Sequence, residues 1–318
     1  LRVKRKVSMS EEVFEFVDKP LSSKVNFPQS SRRSTTVIHE RIYSKSDLSK
    51  HYLRRYIPLL SLGTWQLDDP LMCESAVYNA IKEGIRHIDS AQAYRNEVHT
   101  GKAIARILEK DKLILREDLF VATKLSDEQH NGGYEGTIAL VQQQIQELQC
   151  SYIDLYYLHS PFRDENKLEG TLIAIAELMQ QGKIKSIGVS NFGEPQLLHF
   201  YPFLKRVAHE QSWTDEMYQK MHPVALQNKW DCYHVGKQFD ADASDIHLVA
   251  HQNNLLIMGY SLFSGYPFTL LPLKDPILDT LAKRLTARSQ REGHNNPTNN
   301  EDISVAMVLI RAYMQMGV

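Results

Sequence analysis

The chain has 318 residues and a formal net charge of −1 at pH 7, so its overall charge favours neither nucleic acid nor an anionic membrane as a partner. Hydrophobic residues make up 42% and charged residues 24%, a composition typical of globular proteins. No apolar run approaches the roughly 18 residues of a membrane span. The three cysteines are widely spaced without a CxxC pair, which excludes a disulfide framework or a zinc ribbon and suits a reducing compartment. We therefore expect a cytoplasmic protein with no metal site.

Residues 1–55 differ from the rest, because they are rich in Ser, Lys and Arg and show weak periodicity. This composition predicts a flexible extension that precedes one domain at 56–318. An organelle-targeting segment stays open as the alternative, although the acidic residues of this stretch are atypical of transit peptides. These are Glu11, Glu12, Glu15 and Asp18. The first residue is Leu1, so we expect the true start to lie upstream.

From Ile57 onward, short apolar runs alternate with helical patterns. Seven strand-like runs begin near residues 59, 86, 119, 152, 184, 224 and 255. Apolar residues at helical spacing fill the gaps, for example at 75–84, 134–149 and 168–183. Gly84 and Gly182 are placed to end two of these helices. Two polar stretches, 205–222 and 286–300, predict surface loops.

Strands that alternate with helices and read as near-continuous apolar runs indicate a parallel sheet of the α/β class. A doubly wound sheet is one way to build it, but the glycine-rich GxGxxG loop of that fold is absent after the first strand, which reads SLGTWQLDD. No linker interrupts the regular alternation of strands and helices. The pattern therefore favours a single (β/α)8 TIM barrel.

Four polar side chains lie where predicted strands end, or in the loop that follows. They are Asp89, Tyr94, Lys124 and His159. In a (β/α)8 barrel these strand ends converge on one face and build the active site there. An ammonium lowers the pKa of a nearby phenol, a carboxylate holds the ammonium, and an imidazole orients a carbonyl oxygen. The combination predicts a site that protonates a carbonyl oxygen while hydride reaches the carbon.

At these residues the chain resembles the aldo-keto reductase family. The resemblance covers residues 57–318 and is carried by motifs in the family's order. They are LGTW (62–65), GIRHIDSAQAYRNE (84–97), VATK (121–124), IDLYYLHSP (153–161), GKIKSIGVSNF (182–192), LQNKW (226–230) and GYS (259–261). The family implies a (β/α)8 barrel, NADPH as cofactor and reversible reduction of aldehydes and ketones to alcohols.

The resemblance also implies a role for individual residues. Tyr94 corresponds to the general acid, Lys124 to the residue that lowers its pKa, Asp89 to the partner of Lys124, and His159 to the group that orients the substrate. The implied cofactor contacts are Asp89 and Ser190, Asn191 and Gln227 at the nicotinamide amide, Tyr260 stacked on its ring with Ser261 beside it, and Gly63, Thr64 and Trp65 after the first strand. Trp65, Tyr94 and His159 are the implied substrate contacts. Independently of the resemblance, Trp65, Phe162 and Phe192 suggest an apolar pocket lined by aromatic residues.

The chain departs from the family pattern at its end. The helix at 304–317 is the one that normally precedes strand eight, so strand eight, the following helix, the C-terminal loop and the residues that grip the 2′-phosphate of NADPH are missing. The stretch YSLFSG after strand seven also lacks a proline common in the family. We expect an incomplete sequence of a longer protein, with a naturally short, inactive form as the alternative.

The expected function is carbonyl reduction with hydride from NADPH, with Tyr94 as proton donor. The alternative is a non-catalytic homologue that binds cofactor or a protein partner. The expected ligand is a small-molecule carbonyl compound, and the sequence does not predict which one. The sequence also leaves open the preference for NADPH over NADH and the oligomeric state.

Overall fold

Seven parallel strands form one continuous sheet in the computed structural model, which describes residues 57–126, 132–232, 234–235, 246–263, 271–291 and 302–318. The strands are β1 (Leu62–Gly63), β2 (His87–Asp89), β3 (Phe120–Leu125), β4 (Leu155–Leu158), β5 (Ile187–Ser190), β6 (Ala225–Asp231) and β7 (Leu256–Tyr260). Each pairs in parallel with the next along the chain. The prediction of seven parallel strands in a barrel-like sheet is confirmed. The predicted extension at 1–55 lies outside the described residues.

The sheet has two edges within the described residues, because β1 and β7 are not paired with each other. An apolar cleft of about 150 Å³ lies between them, lined by 57–61, by 256–259 and by Tyr313 and Val318 near the last helix. A two-residue strand, His234–Val235, pairs antiparallel with the end of β6. The strand order follows the chain order, as in a barrel and unlike a doubly wound sheet.

Alternation along the strands sends side chains to opposite faces of the sheet. On β3, Phe120 and Ala122 join an interior cluster with Tyr157, whereas Val121 packs outward in a separate cluster. Lys124 continues the inward-facing series of β3 and is 0% exposed. This periodicity places the ammonium inside the barrel, at the carboxyl end of the strand.

Nine α-helices lie within the described residues. They are α1 (Pro70–Lys82), α2 (Glu97–Ala105), α3 (Tyr134–Glu147), α4 (Glu165–Gln180), α5 (Glu194–Glu210), α6 (Asp215–Lys220), α7 (Ile246–Gln252), α8 (Pro276–Arg291) and α9 (Val305–Gln315). Gly84 and Gly182 follow α1 and α4 with φ of 105° and 72°, the left-handed backbone that glycine adopts at a helix end. None of the helices in these ranges is long and apolar enough to cross a membrane.

Both predicted surface loops are wrong where the structure describes them. Residues 205–222 contain the end of α5 and all of α6, and 286–291 belong to α8. The polar residues that suggested loops lie on exposed helix faces, while Val207 and Met217 are buried against the core. Residues 292–300 lie outside the described ranges.

Candidate active site

A buried ion pair lies at the centre of the site. Lys124 Nζ bonds to Asp89 Oδ1 and donates a 2.8 Å hydrogen bond to the carbonyl oxygen of Ser90. Gln227 Nε2 donates to the second carboxylate oxygen of Asp89 at 2.9 Å. Burial opposes the charge on Lys124, but Asp89 and Tyr94 outweigh it, so the pKa of Lys124 lies above its ordinary value. Lys124 is therefore held in its ionised form.

Tyr94 lies beside this pair on a short 3-10 turn, Gln92–Tyr94, which follows β2. Its hydroxyl is 3.3 Å from Lys124 Nζ, within hydrogen-bond distance. Burial raises the pKa of Tyr94, and the Lys124 ammonium works against that rise. Lys124 thus acts in the expected direction, but the net pKa is still raised because burial is the larger effect. At neutral pH the phenol keeps its proton and can donate it.

His159 follows β4 directly and contacts Tyr94 edge to face, with ring centroids 5.7 Å apart. Burial lowers the pKa of His159 to about 4, and the Lys124 ammonium adds to that effect. The imidazole is consequently neutral at physiological pH. A neutral ring can donate one hydrogen bond to an oxygen but is a poor source of a full proton.

The predicted nicotinamide contacts lie together on the neighbouring strands β5, β6 and β7 or, for Asn191, directly after β5. Asn191 has a left-handed backbone with φ of 60°, and its Nδ2 donates to the carbonyl oxygen of His159 at 2.8 Å. The hydroxyl of Tyr260 donates to Asn191 Oδ1 at 2.7 Å. The hydroxyl of Ser190 donates to the carbonyl oxygen of Gln227 at 2.8 Å. These bonds connect β4 to β7 across the carboxyl end of the sheet.

The remaining predicted contacts lie at the ends of β1 and β7. Thr64 is buried with its hydroxyl 3.1 Å from Ser90 Oγ, and Gly63 is the last residue of β1. Trp65 is 58% exposed, so it is not a packing residue of the core. Ser261 follows Tyr260 with φ of 57°. Their assignment to cofactor or substrate stays a prediction.

The prediction that Phe192 lines the pocket is wrong. Phe192 is 3% exposed and packs in the outer core against Phe200, with ring centroids 6.0 Å apart. Phe192 lies beyond the end of β5, and the left-handed backbone of Asn191 (φ of 60°) interrupts the strand between Ser190 and Phe192. Phe162 also packs in part against this outer core.

Sequence reasoning missed two residues that hold the site in place. Ser90 contributes its carbonyl oxygen to Lys124, and buried Asn96 donates to the carbonyl oxygens of Thr64 at 2.7 Å and Leu67 at 3.3 Å. Asn96 fastens the loop that carries Tyr94 to the segment after β1. A polar residue just before a helix is typical of a cap, so its position in the sequence does not indicate that it belongs to a buried network.

A parallel β/α sheet whose carboxyl ends converge on a buried ion pair, a phenol and an imidazole has the site architecture of a barrel enzyme. The Aldo/keto reductase family model matches residues 59–276, more than half of the chain. The chain belongs to the aldo/keto reductase family.

Curated relatives match over part of their length. An aldo-keto reductase of Mycolicibacterium smegmatis is 45% identical over 144 residues, 45% of this chain and 48% of the relative. The glyoxal reductase of Bacillus subtilis is 37% identical over 149 residues, 47% of this chain and 50% of the relative. The methylglyoxal reductase DkgA of Yersinia pestis is 34% identical over 192 residues, 59% and 63% of the two chains. The matched region thus spans about half to two thirds of these relatives.

Solved structures share the fold. An aldo/keto reductase of Brucella melitensis aligns with a TM-score of 0.58 at 30% identity, over 82% of this chain and 81% of that chain. A Bombyx mori aldo-keto reductase in complex with NADP aligns with a TM-score of 0.56 at 27% identity, over 72% of each chain.

Proposed function

We propose that this protein reduces aldehyde and ketone carbonyls to alcohols with hydride from NADPH, and that Tyr94 donates the proton. The observation that carries the proposal is the Tyr94 hydroxyl at 3.3 Å from the Lys124 ammonium, which is itself fixed by Asp89. A phenol in that position combines a proton to give with a cation that stabilises the phenolate left behind.

The roles of the residues follow from their charges. Tyr94 transfers its proton to the carbonyl oxygen as negative charge develops there. Lys124 stabilises the resulting phenolate, and Asp89 keeps Lys124 in place. His159 is neutral, with a pKa of about 4, so it orients the carbonyl oxygen by a hydrogen bond instead of supplying the proton.

The residues present fit a nicotinamide cofactor. Ser190 at the end of β5, Asn191 directly after it and Gln227 on the neighbouring β6 bring together one hydroxyl and two primary amides. Such groups can both donate and accept hydrogen bonds, which matches the donor and acceptor of a carboxamide. Tyr260 offers an aromatic face beside them. When bound there, NADPH would supply the hydride, and these side chains would fix which face of its ring is turned to the substrate.

Small oxo-aldehydes are the substrates we propose to test first. The support is the similarity to a glyoxal reductase and to a methylglyoxal reductase, whose names state those substrates. The loop after His159 is short, since α4 begins at Glu165, and this favours an open site.

The test is NADPH oxidation by the purified protein with methylglyoxal and with glyoxal, for the wild type and for Tyr94→Phe. Removal of a positioned general acid is expected to lower kcat by about 10²- to 10⁴-fold. The dissociation constant for NADPH, measured by fluorescence, should stay close to that of the wild type. The matched control is Tyr134→Phe, because Tyr134 lies exposed on α3 and its hydroxyl contacts Glu177.

Two results would overturn the proposal. Full activity of Tyr94→Phe would remove Tyr94 as the proton donor. Saturable NADPH binding by the wild type without turnover of any aldehyde or ketone would favour the non-catalytic homologue instead.

A further inference from the structure

Glu97 is a buried carboxylate that the proposed chemistry does not use. It is the first residue of α2, three residues after Tyr94, and is 3% exposed. An acidic residue in the first turn of a helix is usually explained by the helix dipole, and such residues are normally solvated. Burial of this carboxylate needs another explanation.

The carboxylate is held by side chains from two other elements. Thr123 of β3 donates its hydroxyl to Glu97 Oε1 at 2.6 Å. Gln144 of α3 places Nε2 at 3.1 and 3.2 Å from the two carboxylate oxygens. Tyr156 of β4 donates its hydroxyl to Gln144 Oε1 at 2.9 Å. Glu97 is therefore the acceptor at the centre of a buried network that joins α2, α3, β3 and β4.

This network adjoins the active site at Lys124. Thr123 directly precedes Lys124, and the alternation of β3 puts the two side chains on opposite faces of the sheet. Gln144 Nε2 also lies 3.3 Å from the carbonyl oxygen of Lys124 itself. The contact that binds Glu97 thus also fixes the backbone that carries the ammonium.

The loop of Tyr94 is fastened at two neighbouring points. Asn96 bonds to the carbonyl oxygen of Thr64 after β1, and Glu97 bonds to Thr123 on β3. Between β2 and these two anchors the chain carries Tyr94 on its 3-10 turn. We propose that Glu97 is a positioning residue that sets the separation of the Tyr94 hydroxyl and the Lys124 ammonium by clamping the Tyr94 loop onto β3. This deepens the proposed function and rests on it for its catalytic consequence only.

The effect of the position of Glu97 on the pKa of Tyr94 can be distinguished from the effect of its charge. The charged and titratable groups that influence it are Lys124 of β3, Glu147 of α3 and Tyr156 of β4. Loss of a nearby negative charge alone would make the Tyr94 phenol a stronger acid. Loss of the clamp would move Lys124 away from Tyr94 and make the phenol a weaker acid. The two explanations predict opposite shifts of the Tyr94 pKa.

The experiment titrates Tyr94 by fluorine NMR in the protein labelled with fluorotyrosine, whose phenol is more acidic than that of tyrosine. The Tyr94 resonance is assigned as the one lost in Tyr94→Phe. In Glu97→Gln we expect the Tyr94 phenol to be an acid about tenfold weaker than in the wild type. Thr123→Val should give a change in the same direction, because it removes the donor and keeps the carboxylate. Thr123→Ser, which retains the hydroxyl, should restore the wild-type value.

The control for charge is Glu147→Gln, since Glu147 lies on α3 near Glu97 and bonds to Gln143 on its own helix. Glu147→Gln should not make the Tyr94 phenol a weaker acid. A Tyr94 that is unchanged or more acidic in Glu97→Gln would overturn the proposal. If Glu97→Gln fails to fold by circular dichroism, Thr123→Val decides in the same way.

The catalytic consequence is measured separately. In Glu97→Gln we expect kcat for methylglyoxal to fall about tenfold, with an unchanged dissociation constant for NADPH. A wild type without activity would contradict the proposed function, and the fluorine titration would still decide the role of Glu97. A wild-type kcat in Glu97→Gln, together with a less acidic Tyr94 phenol, would contradict the catalytic role of the clamp.

Discussion

The Lys124–Asp89 pair shows that a buried charge in the site can lower the stability of the fold. Lys124 is 0% exposed, and a buried ion pair often stabilises a fold no more than well-packed apolar residues would. The pair is instead explained by its neighbours, because it places a fixed ammonium beside the Tyr94 hydroxyl. Removal of one partner leaves the other charge buried and uncompensated.

A double-mutant cycle tests this coupling. We expect Lys124→Met and Asp89→Asn each to lower the free energy of unfolding by about 3 kcal/mol or more. The double variant should lose at least about 1 kcal/mol less than the sum of the two, since it leaves neither charge alone. Urea unfolding at pH 7 measures all four proteins. Additive losses would show that the two side chains are not energetically coupled.

The residues predicted from the sequence are those whose chemistry is unusual at their position. A lysine within an apolar strand and a histidine just after one were visible signals, and the structure brings both to Tyr94 and Asp89. Glu97 carried no such signal, because an acid at the start of a helix has an ordinary explanation. Its partner Gln144 is distant in sequence and sits on an exposed-looking helical pattern, so only the fold places them together.

At the scale of elements, the close approach of α2 to α3 determines where Glu97 can reach. Gly101 lies on α2, and a Cβ added there would be 1.9 Å from the carbonyl oxygen of Glu147 and 2.7 Å from the carbonyl carbon of Leu148. The absence of a side chain lets the two helices touch. α2 thereby presents its first turn to Gln144, one helical turn before Leu148.

Gly101→Ala tests that packing. In an ordinary helix this change is stabilising by about 0.5–1 kcal/mol. Here we expect it to be destabilising by about 1–3 kcal/mol, because the methyl group would force α2 and α3 apart. The measurement is urea unfolding, with Gln142→Ala on the exposed face of α3 as a control that should change little. An equal or higher stability of Gly101→Ala would mean that the helices separate without cost.

Elements were predictable from the sequence where burial produces a regular period. The seven strands and the helices α1, α3 and α4 follow such patterns, and their ends are marked by residues such as Gly84. The end of α5 and the whole of α6 fall in the stretch 205–222 that was predicted as a loop, because this stretch is strongly polar although it contains the buried residues Val207 and Met217. Their helical character is decided by packing against the core.

The whole molecule is tied together at the site by contacts between remote parts of the chain. The bond from Gln227 to Asp89 joins residues 138 positions apart, and the bond from Tyr260 to Asn191 joins β7 to β5. The titratable groups buried near this centre should therefore influence global unfolding and not only local opening.

The pH dependence of stability follows from two groups with opposite shifts. His87 is fully buried beside Phe120, and burial lowers its pKa to about 4, so the unfolded chain binds more protons between pH 4 and 6.5. Stability from His87 is present above pH 6.5 and is lost as the pH falls toward 4. Burial raises the pKa of Glu97 to about 7, so the folded state binds more protons between pH 4.5 and 7. This contribution makes stability fall as the pH rises through that range.

Each effect amounts to on the order of 3 kcal/mol, and they oppose each other in the wild type. The change in unfolding free energy from about pH 4.5 to 7 should therefore decrease in His87→Phe, which keeps an aromatic ring but cannot be protonated. The same change should increase in Glu97→Gln, because the carboxylate no longer has to be ionised in a buried position. Urea unfolding of the three proteins at both pH values measures the two differences. Equal pH dependence in all three would mean that these groups ionise in the folded state as easily as in the unfolded chain, and would contradict the prediction.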